Sequence, residues 1–386
     1  MTAKAWLAAA AAAALAGGMA QAEEAGAALQ ERLLREAVNF NGAIAYLGAN
    51  APGFILGATR GGASATAGFG ETAAGSGKEP DGGTVMRVGS ISKAFCGALL
   101  ADMAAKGELA LTDRLADRTG LGVPIPSLDG REIRLIDLAT HSAGLPREVP
   151  QAPQPPDDPF GGNTLDAQKA GLAGDPLLFA PGAGILYSNW GFDLLGEALA
   201  HTGGKPFAEL MQERVFGPAG MTASRYDITA AQQADAMQGH FFDGAAMPFA
   251  PTPVTIECAG GLYTTANDML AFLRWIMSQA PDGRQEMRAL DRAAWLWRDG
   301  LDPVSGLDES GGDMDAMGLA WVIRAPEGNM PLILNKTGGL QGMFAYAVMA
   351  PSRDAAVFAA MNRFDLGGFN VMVATANELL QSIAPR

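Results

Sequence analysis

The sequence is poor in histidine, cysteine and positive charge. Three histidines and two cysteines among 386 residues leave too few soft ligands for a zinc cluster. Acidic residues outnumber basic residues by 41 to 27, giving a net charge of −14 without basic runs. Such a chain is a poor partner for a phosphate backbone, so nucleic acid is excluded as a partner. We expect no cofactor and no metal.

Long apolar runs are also missing beyond the N-terminus, so no transmembrane span is predicted. Residues 1–22 are typical of a signal peptide: Lys4 supplies the charge, Trp6 to Leu15 is apolar, and residues 20–22 form an Ala-x-Ala cleavage site. The alternative is an Ala-rich terminal helix. We therefore expect export to the periplasm. No basic amphipathic helix argues for peripheral membrane association, which stays open, as does the oligomeric state.

Apolar residues make up 48% of the chain, enough for a large core. Short strand-like runs and one helical pattern occur near each end of the chain. The predicted strands are 43–47, 54–58, 65–69, 319–323, 331–334, 344–349 and 355–361, and the terminal helices are 25–40 and 372–383. This order predicts an α+β fold whose mostly antiparallel sheet is built from both chain ends and flanked by helices.

Helical spacing dominates the middle of the chain, where we predict an inserted helical region. The predicted helices are 90–106, 189–201, 206–216, 265–279 and 286–298. Five prolines without periodicity predict a surface loop over 149–163. We divide the chain after residue 22 into an α/β sheet domain (23–105 and 255–386) and a mainly helical inserted region (106–254).

The two cysteines, Cys96 and Cys258, lie far apart in the sequence. Export would permit a disulfide between them. Cys96 falls inside an apolar helical pattern, where buried free thiols are common. Two free thiols are therefore the favoured expectation.

The first motif with chemical potential is Ser90-Ile91-Ser92-Lys93, at the start of a predicted helix. Three residues are almost one helical turn, so the Lys93 side chain is expected beside the Ser90 hydroxyl. A serine hydroxyl is a poor nucleophile until a neighbouring base removes its proton. Backbone N–H groups at a helix N-terminus suit a developing oxyanion. Alone, this motif is common by chance.

Two further motifs support it. Tyr187-Ser188-Asn189 opens a predicted helix, and Asn189 is suited to orient a substrate amide and to hold Lys93. The third motif follows the predicted strand 331–334 and consists of Lys336, Thr337, Gly338 and Gly339. Its ammonium and hydroxyl groups can bind a carboxylate, and its glycines let a substrate backbone approach the strand edge.

In this order, the three motifs resemble those of the penicillin-recognising serine hydrolases, in the class C β-lactamase-like branch. There the third motif is Lys-Thr-Gly, and Tyr-x-Asn replaces the Ser-Asp-Asn of class A enzymes. The resemblance includes residues 138–148, 181–196 and 260–269 and covers nearly all of the chain after residue 22. It is closest to periplasmic D-alanyl-D-alanine carboxypeptidase/endopeptidases of the AmpH type. Gly339 favours the same group, because β-lactamases proper more often carry Ser there.

The resemblance implies a β-lactamase/transpeptidase-like fold and acyl transfer. Ser90 would attack a peptide, β-lactam or ester carbonyl, and water would then release the acyl group. Backbone N–H groups of Ser90 and Gly339 would form the oxyanion hole. Whether Lys93 or Tyr187 takes the serine proton stays open. The Lys336 cation would lower the pKa of Lys93 by repulsion and that of Tyr187 by attraction.

The function implied is an exported D,D-carboxypeptidase/endopeptidase acting on D-Ala-D-Ala peptides of peptidoglycan. The alternatives are a class C-type β-lactamase, a carboxylesterase of the same fold and a non-catalytic penicillin-binding sensor. Lys336 and Thr337 count against an esterase, and the complete set of catalytic side chains counts against a sensor. No Gly-x-Ser-x-Gly occurs, which excludes an α/β-hydrolase elbow. His141 is predicted to be a packed residue rather than a catalytic base.

Overall fold

The structure is a computed structural model that describes residues 3–155, 158–307 and 312–385, with side chains from residue 25 onward. Its helices within these ranges are α1 Ala3–Ala49, α2 Ser92–Ala105, α3 Leu115–Arg118, α4 Leu135–Ala139, α5 Leu165–Ala173, α6 Asn189–Gly203, α7 Phe207–Met211, α8 Gly217–Ala219, α9 Ala230–Asp235, α10 Ala266–Met277, α11 Gln285–Arg292 and α12 Leu366–Ile383. Short 3₁₀ turns cover Gly89–Ile91, Val254–Ile256 and Pro351–Arg353, and a π-helical segment covers Gln212–Phe216.

The strands of the described ranges are β1 Gly53–Arg60, β2 Ala63–Gly70, β3 Met86–Arg87, β4 Ser127–Leu128, β5 Arg131–Glu132, β6 Ile185–Leu186, β7 Tyr263–Thr264, β8 Leu296–Trp297, β9 Val304–Ser305, β10 Ala316–Met317, β11 Val322–Arg324, β12 Ile333–Leu340, β13 Met343–Ala350 and β14 Ala355–Met361. Eight of them form one sheet in the order β2-β1-β14-β13-β12-β11-β10-β8.

All neighbouring strands of this sheet are antiparallel. The early strand β1 lies beside the late strand β14, with Phe54 opposite Met361. The two chain ends therefore meet within one sheet, as its second and third strands from the β2 edge. The prediction of an α+β fold with an antiparallel sheet drawn from both ends is confirmed.

Helices cover both faces of the sheet, and alternate residues of β14 divide between them. Val357 and Met361 pack in a cluster with α1 and α12, whereas Phe358 and Ala360 belong to a larger cluster that includes α2, α6 and α10. All seven residues of β14 are buried, as expected for a strand covered on both faces. The larger cluster also contains Val88 and Ile91, so it anchors the segment that carries Ser90 to the sheet.

Two of the predicted elements are wrong. Residues 43–47 were expected as a strand but belong to α1, because Val38, Ala45 and Ala49 continue one buried helical stripe. The predicted helix 286–298 ends at Arg292, and Leu296–Trp297 joins the edge of the sheet as β8. Both segments have apolar residues that fit either period over a short window.

The predicted surface loop over 149–163 contains no helix or strand in its described parts, 149–155 and 158–163. The predicted signal peptide falls on residues 1–22. Of these, residues 1 and 2 lie outside the described residues, and only the helical backbone of the others is described. Export therefore stays a prediction. A search of the described residues finds no helix that is both long and apolar enough to span a membrane.

Cys96 and Cys258 form a disulfide, so the expectation of two free thiols is wrong. Their Cα atoms lie 5.4 Å apart despite a sequence separation of 162 residues. An added Cβ at Gly196 would lie only 2.7 Å from the Cβ of Cys258, so a glycine makes room for the bridge. The apolar pattern around Cys96 indicated burial, which free and bridged cysteines share. The bridge joins α2 to the segment that precedes Ala259.

Candidate active site

Ser90 lies in the 3₁₀ turn Gly89–Ile91, which leads directly into α2. Gly89 has φ +50°, in the left-handed region that glycine adopts without strain. A Cβ on Gly89 would lie 2.8 Å from the backbone of Gly339. The turn and β12 therefore approach each other more closely than any residue larger than glycine would allow, and Ser90 lies at this contact.

The Lys93 side chain is buried one helical turn after Ser90. Its Nζ lies 3.3 Å from Ser90 Oγ. It also donates to Asn189 Oδ1 at 2.7 Å and to the Ala259 carbonyl at 2.5 Å. Contacts with the 3₁₀ turn, with α6 and with the Ala259 segment therefore fix the amine beside the serine hydroxyl.

The environment of Lys93 favours the neutral amine. Burial is the largest influence and lowers the pKa of Lys93 well below its ordinary value, and the Lys336 ammonium lowers it further. The carboxyl groups of Asp193 and Glu148 act in the opposite direction. The expected influence of Lys336 on Lys93 is present, but desolvation exceeds it. An amine in this state can accept a proton near neutral pH.

The Tyr187 ring is buried and lies close to the side chains of Lys93, Lys336 and Arg147. Lys93 Nζ lies 5.1 Å from the ring centroid, Lys336 Nζ lies 5.2 Å away, and Arg147 Cζ lies 4.8 Å away. These are cation–π distances, and they bring the phenol side chain and both lysines into one cluster. Arg147 belongs to the cluster although the motifs alone did not identify it.

His141 is packed against the Tyr187 ring. The two rings stack at a centroid distance of 4.3 Å, and His141 Nδ1 accepts the Ser188 N–H at 3.0 Å. Burial, followed by Lys93 and Lys336, lowers the pKa of His141 well below its ordinary value, so the imidazole stays neutral. The prediction of a packed histidine is confirmed. The imidazole therefore holds two residues of the second motif, Tyr187 by stacking and Ser188 by a hydrogen bond.

The third motif lies on β12, which continues beyond its short neighbour β11. Strand β11 pairs with Ile333–Asn335, so the motif follows directly after that pairing. Lys336 is buried, and its Nζ donates to the Thr337 carbonyl at 2.9 Å. A Cβ on Gly338 would overlap the Val88 carbonyl, which only a glycine avoids. A Cβ on Gly339 would lie 3.0 Å from the Phe344 ring.

Two cavities meet at Ser90, and both are lined by Ser90, Arg147 and Gly339. The larger has a volume of about 660 Å³, includes Tyr187 and Thr337, and ends in an aromatic wall. The wall consists of Phe242, Phe344, Phe364 and Phe369. The smaller cavity, of about 390 Å³, is polar and is lined by Glu148, Gln151, Asn163, Asn189 and Asp193 among others.

Glu148 and Asp193 are site residues that the motifs did not reveal. Asn189 Nδ2 donates to Glu148 Oε1 at 2.6 Å, so Glu148 fixes the amide that contacts Lys93. Asp193 lies four residues after Asn189 on α6, and the two side chains therefore share a helix face. That spacing from the second motif is the sequence signal that could have identified Asp193.

Comparisons with known proteins agree with this geometry. The family model described as Beta-lactamase matches residues 21–381. The D-alanyl-D-alanine-carboxypeptidase/endopeptidase AmpH of Escherichia coli K12 is 32% identical over 343 residues, which cover 88% of this chain and 86% of AmpH.

Solved structures show the same similarity. The crystal structure of a β-lactamase/D-alanine carboxypeptidase from Yersinia pestis matches with a TM-score of 0.82 at 30% identity, covering 91% of this chain and 98% of that protein. A class C β-lactamase matches with a TM-score of 0.74 at 19% identity, covering 92% and 97% of the two chains, and supports the fold alone. The family resemblance inferred from the three motifs is confirmed. This chain belongs to the Beta-lactamase family and is a serine hydrolase.

Proposed function

We propose that this protein is a D,D-carboxypeptidase/endopeptidase that forms an acyl-enzyme on the D-Ala-D-Ala ends of peptidoglycan peptides. The observation that carries the proposal is the contact of Ser90 with a buried, desolvated Lys93 at the point where two cavities meet. A scissile bond at Ser90 would have room for an acyl portion on one side and a leaving portion on the other. The similarity to AmpH supports the same substrate class.

Acylation begins when the Ser90 hydroxyl loses its proton and its Oγ bonds to the carbonyl carbon. An ordinary lysine with a pKa of about 10.4 is neutral at pH 7 only at a cost of about 4–5 kcal/mol. Burial and Lys336 lower the pKa of Lys93 and so reduce this cost. Lys93 and Tyr187 share the role of base, and Tyr187 returns a proton to the departing amine as the C–N bond breaks.

Backbone N–H groups of Ser90 and Gly339 form the oxyanion hole in this proposal. The close approach of the Gly89 turn to Gly339 supports it, because both donors then border the same cavities. Donors held rigidly at the site of developing charge act without reorganisation. Water then attacks the acyl-enzyme, its proton returns to the base, and the bond to Ser90 Oγ breaks.

The direction of the substrate follows from the order of residues along β12. Lys336 and Thr337 would bind the terminal carboxylate of the leaving D-Ala, because an ammonium and a hydroxyl suit that anion. The leaving portion then lies in the larger cavity, which Thr337 lines. The acyl portion runs past Gly339 toward Leu340, into the smaller cavity. A leaving side of about 660 Å³ exceeds the needs of one alanine and supports endopeptidase activity as well.

Class C-type β-lactamase activity is the second candidate, and the aromatic wall favours it. Bicyclic β-lactams carry their leaving amine within a fused ring that has apolar atoms besides its carboxylate, and those atoms suit a cavity bordered by Phe344 and Phe364. The two activities share acylation and differ in how fast water releases the acyl group. The outcome therefore depends on deacylation rather than on which side chains are present.

We also propose export to the periplasm, where such peptides occur, through a signal peptide at residues 1–22. The charge, apolar stretch and Ala-x-Ala site support this, and the family match begins at residue 21. N-terminal sequencing of the protein from a periplasmic extract tests it. A mature chain starting at Glu23 is expected, and an intact N-terminus in the cytoplasmic fraction would contradict it.

One purified sample assayed with three substrates tests the main proposal. The substrates are a D-Ala-D-Ala peptide, a chromogenic cephalosporin and p-nitrophenyl acetate. We expect D-Ala release well above ester and cephalosporin turnover, and its loss in Ser90→Ala but not in Ser382→Ala, which alters a serine near the C-terminus. Cephalosporin turnover of about 100 s⁻¹ or more would replace the proposal with a β-lactamase. Dominant ester turnover would indicate a carboxylesterase, and acylation without turnover a sensor.

A further inference from the structure

The smaller cavity contains a buried carboxyl group that the proposed chemistry does not use. Asp193 lines this cavity, and the residue is only 2% exposed. Its Oδ2 accepts from Asn163 Nδ2 at 2.7 Å. No donor among the described residues reaches its Oδ1. A buried acceptor without a donor is unusual in a folded protein and indicates a place for a ligand donor.

The side chains around Asp193 do not supply the missing donor. Asn163 uses its amide N–H on Asp193 and accepts from Gln168 Nε2 at 3.1 Å. Gln168 Oε1, behind this pair, is also without a donor in the described part of the chain. The network therefore has more acceptors than donors, which is the opposite of what an anionic ligand would need.

Glu148 adds a second carboxyl group to the same cavity. Its side chain is about half exposed, and Arg147 Nε lies 3.6 Å from its Oε1. Arg147 also lies over the Tyr187 ring, at the boundary of the two cavities. Burial is the largest influence on Asp193 and raises its pKa; the Asn163 amide and Lys93 lower the pKa, Glu148 raises it, and together they place it at about 8. A cation entering the cavity would favour the ionised form of Asp193.

We propose that the smaller cavity binds a primary ammonium group carried by the acyl portion of the substrate. An ammonium has three donors and a positive charge, which match the orphan Oδ1 of Asp193 and the exposed carboxylate of Glu148. The direction of the acyl portion rests on the proposed function, in which the residue before D-Ala-D-Ala reaches Leu340. The substrate class is thus a stem peptide whose residue before D-Ala-D-Ala has a free side-chain amine.

Two peptides that differ in one amine test this proposal. The protein is assayed with Nα-acetyl-L-Lys-D-Ala-D-Ala and with Nα,Nε-diacetyl-L-Lys-D-Ala-D-Ala, and kcat/KM for D-Ala release is compared. We expect about a tenfold preference for the free amine, the size of one charge-assisted hydrogen bond. The ratio should fall to about one in Asp193→Asn and decrease in Glu148→Gln. It should persist in Asp166→Asn, which removes an exposed acid outside the cavity.

Each outcome decides the proposal. The ratio compares kcat/KM for the two peptides within one protein, so a general loss of activity in Asp193→Asn cancels. If Asp193→Asn does not fold, the ratio in Glu148→Gln decides. Equal kcat/KM for both peptides in the unmodified protein overturns the ammonium site, as does a preference that survives both substitutions.

If neither peptide releases D-Ala, the proposed function fails, and the ammonium site is then decided by acylation. Ampicillin and benzylpenicillin differ by one amine on the acyl side chain. Faster acylation by ampicillin, lost in Asp193→Asn, supports the site. Equal rates overturn it.

Discussion

The two cavities that meet at Ser90 differ in chemistry although they share a wall. The larger ends in phenylalanine rings, of which Phe242 is 60% exposed, and offers volume more than directed contacts. The smaller presents carboxyl and amide groups, of which Asn163 and Asp193 are buried. Apolar volume tolerates many groups, whereas a buried polar atom selects for a partner that satisfies it. We therefore expect tolerance on the leaving side and selectivity on the acyl side.

The largest effect is expected from removing the Lys93 amine, which lies beside the Ser90 hydroxyl at the junction of the two cavities. Lys93→Ala should lower kcat about 10³-fold with either peptide, because the Ser90 proton loses its nearest acceptor. The rate of D-Ala release from both peptides at saturating concentration measures the effect. Lys106→Ala, at the exposed end of the same helix segment, is the control. Loss of less than about tenfold would assign the base role to Tyr187 instead.

One added methyl group can displace the contact between β12 and the Ser90 turn, which borders both cavities. In Gly338→Ala the new Cβ would overlap the Val88 carbonyl, so β12 and the Ser90 turn must separate. We expect kcat/KM to fall about 10²-fold for all substrates, as for a misplacement of about 1 Å. Gly174→Ala, whose Cβ would have only ordinary contacts, should have little effect. An unchanged kcat/KM in Gly338→Ala would contradict the tight strand–turn contact.

The pH dependence of kcat/KM tests the opposite influences of Lys336 and Glu148 on the pKa of Lys93. Protonated Lys93 cannot accept the serine proton, so kcat/KM should fall as pH drops through the pKa of Lys93. Lys336→Met removes a like charge, raises the pKa of Lys93 and moves this acid limb to higher pH. Glu148→Gln removes a carboxylate that supports the charged amine, so the limb should move to lower pH.

Profiles of kcat/KM against pH for the three proteins measure these shifts. Lys205→Met, which removes a surface cation beside Glu213, should leave the limb in place. Shifts of the same sign in Lys336→Met and Glu148→Gln would contradict the electrostatic account of Lys93.

The smallest effect is expected from a substitution in the larger cavity, where the leaving group of the substrate would lie. Phe242→Ala removes an exposed ring from the aromatic wall without disturbing the core. KM should rise about threefold for cephalosporins with a bulky apolar leaving group, from the lost apolar area. It should not change for the peptide that releases one D-Ala. Steady-state kinetics with both substrates checks this, and an equal rise for the two would show that the wall does not distinguish them.

Local parts of the site could be predicted from the sequence, because helical spacing alone places Lys93 beside Ser90. The meeting of Tyr187 with Lys336 could not, since no rule of spacing connects a helix start to a distant strand. That expectation came from the family resemblance. Likewise, the apolar pattern around Cys96 indicated burial but not its partner Cys258.

Of the two acids in the smaller cavity, Asp193 has one sequence signal, its spacing of four residues from Asn189 on α6, and Glu148 has no such spacing from a motif. Asp193 and Glu148 acquire their importance from burial and neighbours, which appear only when α6 and the segment 145–148 pack together. The prediction of a strand at 43–47 was wrong for a different reason. This short apolar run fits a strand as well as a helix until its buried partners are known. The division into a sheet domain and an inserted region, 106–254, stays a prediction.

The central claim is that Ser90 is the acylated residue at the junction of the two cavities. Mass spectrometry of the intact protein after incubation with benzylpenicillin, followed by peptide mapping, tests it most directly. The account predicts one penicilloyl group per chain, located on Ser90 and absent from Ser90→Ala. A stoichiometric adduct on any other serine, or one that persists in Ser90→Ala, would contradict it.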